Sequence, residues 1–180
     1  ADSDGFGRGV EYEDMYSTVM QTSTDMCVVN LSIPRLSPDG VARVGVQAML
    51  ALGTAVKHVC VLWPIFSLRE FVSKTYSSTV YLTNENLPYA DWWSQIDWVS
   101  NNYNYQKNKL LLEQTAGNIG AAYHDLIINR YDKSAPTTYN EVKSRDTTFT
   151  ELSAETHTAI ANFYLRKINN EPSLYQQMQS

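Results

Sequence analysis

The sequence predicts a mainly α-helical fold, with one helical core domain over residues 25–170, an extended N-terminal arm over 1–24 and a C-terminal tail over 171–180. Three observations carry that expectation. Apolar residues recur at helical spacing in several stretches, helix start and stop residues fall between them, and both chain ends are polar with only scattered apolar anchors. At 180 residues and 43% hydrophobic, the chain can close one core, and its length gives no reason to expect a second.

The first 24 residues are acidic and punctuated by Gly5, Gly7 and Gly9, with Met15, Tyr16, Val19 and Met20 as their few apolar anchors. Such a segment cannot bury enough surface to fold alone, so it is expected to lie on another surface, such as that of a neighbouring subunit. Cys27 to Ile33 is a short apolar run that stops at Pro34, and Ser37-Pro38-Asp39-Gly40 carries the residues of a turn. Val41 to Trp63 is apolar almost all round, which predicts a buried helix broken near Gly53 and ended by Pro64.

Ser67, with Glu70 three residues on, has the form of a capping box and predicts a helix whose first turn holds Arg69. A cation is disfavoured there by the helix dipole, whereas a bound anion would account for it, as would a neighbouring carboxylate. Leu82 to Leu87 is a polar connection, and Asp91-Trp92-Trp93 opens an aromatic-rich element. From Tyr105 to Tyr131, residues Leu111, Leu112, Ala116, Ile119, Tyr123, Leu126, Ile127 and Arg130 trace one helical face, weakened by Gly117 and Gly120. Asp132 to Asp146 is a loop. A last helix of about 20 residues is expected from Thr148, with Leu152, Ala159, Ile160, Phe163, Tyr164 and Ile168 facing the core, until Glu171-Pro172 stops it.

The bulk numbers narrow the function. A net charge of −5 excludes a protein that grips nucleic acid through its global field, so any polyanion must be held in a local groove. The 12 tyrosines and 4 tryptophans favour interfaces, although the edges of a core would use them too. The longest uncharged apolar stretch, Val44 to Val56, has 13 residues, against the roughly 20 that a spanning helix needs, so no membrane association is expected. Cys27 and Cys60 read as small buried hydrophobes in a reducing compartment, with a single disulfide in a secreted chain still open, and Asn30-Leu31-Ser32 is a formal glycosylation acceptor. The start at Ala1 fits either processing or a longer protein.

No catalytic residue, metal site or cofactor is expected. His58, His124 and His157 share no ligand spacing with one another or with cysteine, and His124-Asp125 are sequence neighbours that would point apart on a helix. A looser basic group, Arg130, Lys133, Lys143 and Arg145, surrounds a loop with Tyr131 and Tyr139 interleaved. Basic residues mixed with aromatics suit single-stranded nucleic acid, and they also make an ordinary solvated loop.

The elements Ser67-Leu68-Arg69-Glu70-Phe71 and Leu82-Thr83-Asn84 with Pro88-Tyr89-Ala90-Asp91-Trp92 resemble the coat proteins of flexuous filamentous plant RNA viruses, of the potexvirus and carlavirus type. Those proteins carry a Thr-Leu-Arg-Gln-Phe helix followed by a Leu-Thr-His-Asn…Pro-Pro-Ala-Asn-Trp segment. Ser37-Pro38, 32 residues ahead of Arg69, is similar to their Ser-Pro pair, which potyvirus coat proteins share. Ala161-Asn162-Phe163-Tyr164 is similar to their Ala-Phe-Asp-Phe-Tyr motif, with asparagine in place of the aspartate, and residues 94–147 find no counterpart.

The resemblance implies a coat subunit that polymerises into a flexible filament around single-stranded RNA, in a virion and in the host cytoplasm. Arg69, Ser37 and Asn162 would line its phosphate groove, and neighbouring copies would meet through the N-terminal arm and C-terminal tail. The alternatives are a helical protein–protein interaction domain built on Tyr and Trp surfaces, and a small enzyme whose histidines meet a carboxylate only in three dimensions.

Overall fold

The computed structural model describes residues 10–33, 36–64, 66, 69–72, 79–81, 97–127 and 154–171. Among them are four α-helices, α1 (Tyr16–Thr22), α2 (Pro38–Leu52), α3 (Trp98–Asn118) and α4 (Ala154–Ile168), and four short strands, β1 (His58–Leu62), β2 (Glu70–Val72), β3 (Thr79–Tyr81) and β4 (Ala122–Leu126). The chain is mainly α, as the sequence predicts. Three of the strands, β1, β2 and β4, lie inside segments that the sequence assigns to helices.

β1 and β4 pair in parallel from His58↔Ala122 to Leu62↔Leu126. Successive side chains of a strand point to opposite faces, and the core divides accordingly. Cys60, Leu62 and Leu126 face α1 and α4, where Tyr16, Met20, Ile160, Ala161, Phe163 and Tyr164 complete one buried cluster. Val59, Val61, Trp63 and Tyr123 face α2 and α3, where Leu36, Val41, Met49, Tyr105, Leu112 and Ala116 complete a second. The two-stranded sheet is thus the partition between two helix pairs.

Several expectations need correction. Ser37-Pro38-Asp39-Gly40 is the start of α2 rather than a turn: the Ser37 hydroxyl accepts the Gly40 N–H at 3.1 Å, and Pro38 sits in the first helical turn, where it sacrifices no hydrogen bond. The helix expected from Val41 to Trp63 ends at Leu52, because Gly53 takes a φ of +55° and releases the β-branched run around Cys60 into β1. The helix expected to reach Tyr131 ends at Asn118, and Gly120, with φ +74°, turns the chain into β4. An almost continuous apolar run carries no period, so pattern could not separate helix from buried strand there.

The helix expected from Ser67 is replaced at its described part by β2, which pairs antiparallel with β3 from Glu70↔Tyr81 to Val72↔Thr79. Ser67 itself lies outside the described residues. Glu70 does not reach back to cap a helix but holds the Arg43 guanidinium on α2, with Oε1 2.6 Å from Nη2.

The N-terminal arm is also revised where it is described. Residues 12–14 form a 3-10 turn and 16–22 form α1, and Tyr16 and Met20 are buried against the chain's own α4. Residues 1–9 of the arm, Thr148 at the expected start of the last helix, the loop 132–146 and the tail beyond Glu171 lie outside the described residues.

Candidate nucleic-acid interface

The N-terminal end of α2 and the first turns of α3 meet in a polar junction. Asp97 caps α3 by accepting the Ser100 N–H at 2.8 Å, which fixes where the helix begins. From there Asn101, Asn104 and Asn108 follow at helical spacing, with Tyr105 and Leu112 beside them on the buried side.

Asp39, in the first turn of α2, is the hub of this junction. Its Oδ2 accepts from Asn104 Nδ2 at 3.1 Å, and its Oδ1 accepts from Asn108 Nδ2 at 3.1 Å and from Lys107 Nζ at 3.2 Å. Burial pushes the carboxyl up, but the bonds from Asn108 and Asn104 and the charge of Lys107 outweigh it, so its pKa falls below the ordinary 3.8. The carboxylate therefore stays charged and locks α2 onto α3.

Arg69 enters the same junction and is 8% exposed. Its guanidinium donates to the carbonyl of Phe66, to the carbonyl of Ser100 at 3.4 Å and to Asn101 Oδ1 at 2.7 Å. The Phe66 ring stacks on Tyr105, with centroids 4.6 Å apart, so the chain ahead of Arg69 is itself anchored on α3. Burial lowers the Arg69 pKa from its ordinary value, and the Asp39 charge opposes that. Arg69 thus precedes a strand rather than sitting in a helix's first turn, and it joins β2 to α3 through the Ser100 carbonyl and Asn101 Oδ1.

Of the residues singled out from sequence, Ser37 and Arg69 come to the same end of α2. A Cβ added to Gly40, the residue whose N–H Ser37 holds, would lie 3.7 Å from the carboxylate of Glu70, which neighbours Arg69. Ser37 is fully buried and is engaged as the cap of α2. Asn162 is exposed on α4, whose buried face belongs to the other core cluster, so it does not join them. Arg130, Lys133, Lys143 and Arg145 lie outside the described residues.

No protein-family model, curated protein or solved structure matches this chain.

A second hub lies between the partition and α3. Asp125 on β4 accepts from Trp63 Nε1 at 3.1 Å and Tyr105 OH at 3.0 Å, and pairs with Lys109 Nζ at 3.0 Å. Sequence reasoning missed Asp39, Asn101, Asn104, Asn108 and Asp125 as organising residues. The Asn101, Asn104 and Asn108 spacing was a usable signal, since amides repeated on one helical face predict a polar seam as leucines predict an apolar one. Asp125 gave no local signal, because its three donors come from distant parts of the chain.

His58 and His124 also meet only in three dimensions: their rings stack with centroids 5.4 Å apart, and Nδ1 of one lies 3.2 Å from Nε2 of the other. Burial lowers the His124 pKa, and His58 and Lys167 lower it further. Among the described residues no group of three or more His, Cys, Asp or Glu side chains could hold a metal ion. No described helix is long and apolar enough to cross a membrane. Cys27 is exposed rather than buried, and both cysteines are free thiols, with burial pushing Cys60 up to about 12.

Proposed function

We propose that this chain is the repeating subunit of a helical coat around single-stranded RNA, present in a virion and in the host cytoplasm. The observation that carries the reading is the convergence of Ser37 and Arg69 at one end of α2, since they belong to two motifs that occur in the same order in the coat proteins the sequence resembles. Self-assembly is favoured by α3, which leaves Trp98 76% and Tyr103 74% exposed, with Val99, Leu110 and Leu111 also open to solvent. An acidic subunit can still package a polyanion when many copies share the strand, because weak contacts add up along a polymer. Neighbouring copies would meet through the two chain ends, and no catalytic step belongs to this role.

Arg69 has a structural share in this reading. Its buried guanidinium is supported by Phe66, Ser100 and Asn101, so RNA contact at this site would fall on the rim of the junction; Arg130, Lys133, Lys143 and Arg145, which lie outside the described residues, are the further candidates from the sequence. The same engagement favours a second reading, a protein–protein interaction domain that uses the exposed Trp98 and Tyr103 face and binds no RNA.

Negative-stain microscopy of the purified chain, with absorbance at 260 nm, separates the two. Flexuous rods that carry nucleic acid are expected for the coat subunit. A monodisperse particle free of nucleic acid would leave the interaction domain. Within rods, replacing Lys143 and Arg145 together by Ala is expected to lower RNA content at unchanged thermal stability, whereas Arg69→Ala should lower both.

A further inference from the structure

α1 begins without a cap of its own. Met15, at the cap position, makes no side-chain hydrogen bond, and the N–H of Tyr16 is taken instead by Nδ1 of His157 on α4, 3.2 Å away and 141 residues along the chain. The imidazole also stacks on the Tyr16 ring, with centroids 6.0 Å apart and planes 13° from parallel. His157 is fully buried, and its Nε2 finds no partner among the described residues. Because Nδ1 accepts a hydrogen bond, the ring proton resides on Nε2 and the imidazole is neutral.

The far end of α1 is tied to its own continuation. Gln21 donates to the Met26 carbonyl at 2.9 Å and accepts the Val28 N–H at 2.6 Å, and the Thr22, Ser23 and Thr24 hydroxyls bond back to carbonyls within α1. Residues 12–28 therefore hold together as a unit whose docking depends on Tyr16, Met20 and the bond to His157.

We propose that His157 is an acid-sensitive latch for this unit: a proton on Nδ1 turns the acceptor into a donor facing the Tyr16 N–H, and the segment 12–28 undocks from α4 while α2 and α3 stay folded. Few other groups around the latch titrate in the same range. Tyr16 from α1 is pushed up to about 12 by burial, Cys60 from β1 likewise to about 12, and Tyr164 beside them on α4 well above its ordinary value. Asp14, from the turn ahead of α1, favours the charged imidazole, but burial outweighs it and the His157 pKa stays below 6.5. His124, stacked on His58 with Lys167 near it, is a second imidazole on this side of the sheet among the described residues, and burial lowers its pKa too; the test separates it.

The sign follows from linkage. His157 binds a proton more readily once the segment is released, so docking is strongest above about 6.5 and weakens as pH falls from there towards the depressed docked value.

Hydrogen–deuterium exchange of the full chain at pH 7.5 and 5.0, corrected for intrinsic rates, tests the latch. The open population of peptides covering residues 12–22 should rise at the lower pH, by up to about thirtyfold, with peptides from α2 and α3 unchanged. His157→Asn keeps an acceptor near the Nδ1 position and cannot charge, so its α1 peptides should show no such rise. Should that variant fail to fold, ring-nitrogen chemical shifts of the wild-type chain should show His157 Nδ1 gaining its proton at the midpoint of α1 release. The latch is overturned by α1 protection that ignores pH, by the same acid rise in His157→Asn, by α2 and α3 opening together with α1, or by a ring that protonates while α1 stays docked.

Discussion

The two sides of the β1–β4 partition are built from the same materials and joined by different means. Between α2, α3 and the sheet, Asp39 and Asp125 each collect three donors, so buried charge is paired, and among the described residues the Tyr123 hydroxyl is the buried side-chain group on this side left without a partner. On α1 and α4 the buried polar groups are the His157 imidazole, the Tyr16 and Tyr164 phenols and the Ser17 and Thr156 hydroxyls, and His157 Nε2 and the Tyr164 hydroxyl have no partner among the described residues. All three histidines of the chain contribute to this second side or to the sheet edge beside it. A carboxylate hub fixes geometry over most of the pH range, whereas an imidazole contact depends on one proton near neutrality. The first side is suited to be a rigid frame and the second to move.

The largest effect expected from breaking the frame comes from Leu112→Ala. Leu112 is fully buried, and Gly45 lets α2 approach it so closely that an added Cβ would sit 2.7 Å from Leu112 Cδ2. With the helices already in contact through a glycine, the cavity has little room to collapse, and the loss should be about 4 kcal/mol, read from urea unfolding. A loss under about 2 kcal/mol would mean that α2 can slide into the space and that the frame is softer than its hubs imply.

Asp125→Ala should follow, at about 3 kcal/mol, because Trp63 N–H, Tyr105 O–H and the Lys109 ammonium all lose their acceptor together. Asp125→Asn keeps one acceptor oxygen and should cost less. If the two substitutions cost the same, the charge rather than the hydrogen bonds holds the hub.

How far the sequence disclosed this division differs between its parts. The helical class, the core faces of α4 at Ile160, Phe163 and Tyr164, and the break at Gly53 are all legible, because they rest on local periodicity and on one residue's backbone freedom. The strands are not: β1 and β4 lie in apolar stretches where periodicity does not separate strand from helix, and their pairing is a contact across 64 residues from His58 to Ala122. Leu111, placed by pattern on the buried face of α3, is 47% exposed, since the seam of that helix is set by Asn104, Tyr105 and Asn108 one step around. Arg69 was legible as an unusual arginine and not as what it binds, because Ser100 and Asn101 reach it from a helix whose start the sequence placed too late.

Gly45→Ala sharpens the same contact from the other side. The new methyl would meet the Cδ2 end of a fully buried leucine, which must shift to admit it, so a loss of about 2 kcal/mol is expected. Combined with Leu112→Ala, it should cost clearly less than the sum of the two, because the methyl then enters the space that the leucine vacates. Strict additivity would show that the two residues do not share that space.

The smallest expected effect distinguishes the two sides by pH. Asp39 has a pKa below 3.8 in the folded chain, so the unfolded chain binds its proton more readily. Its contribution is complete above 3.8 and is lost as pH falls through the folded value. His157 has the opposite charge type, and its contribution begins to fade already below 6.5. The chain should therefore loosen in two steps on acidification, first at α1 and α4 and then, in a more acidic range, at the α2–α3 junction. Asp39→Asn isolates the second step: it should lower stability at neutral pH, where Lys107 loses its charged partner, and flatten the fall in stability below pH 3.8 relative to the wild-type chain. A wild-type chain whose α1 peptides and α2–α3 peptides lose exchange protection in one shared transition would join the two sides into a single cooperative unit.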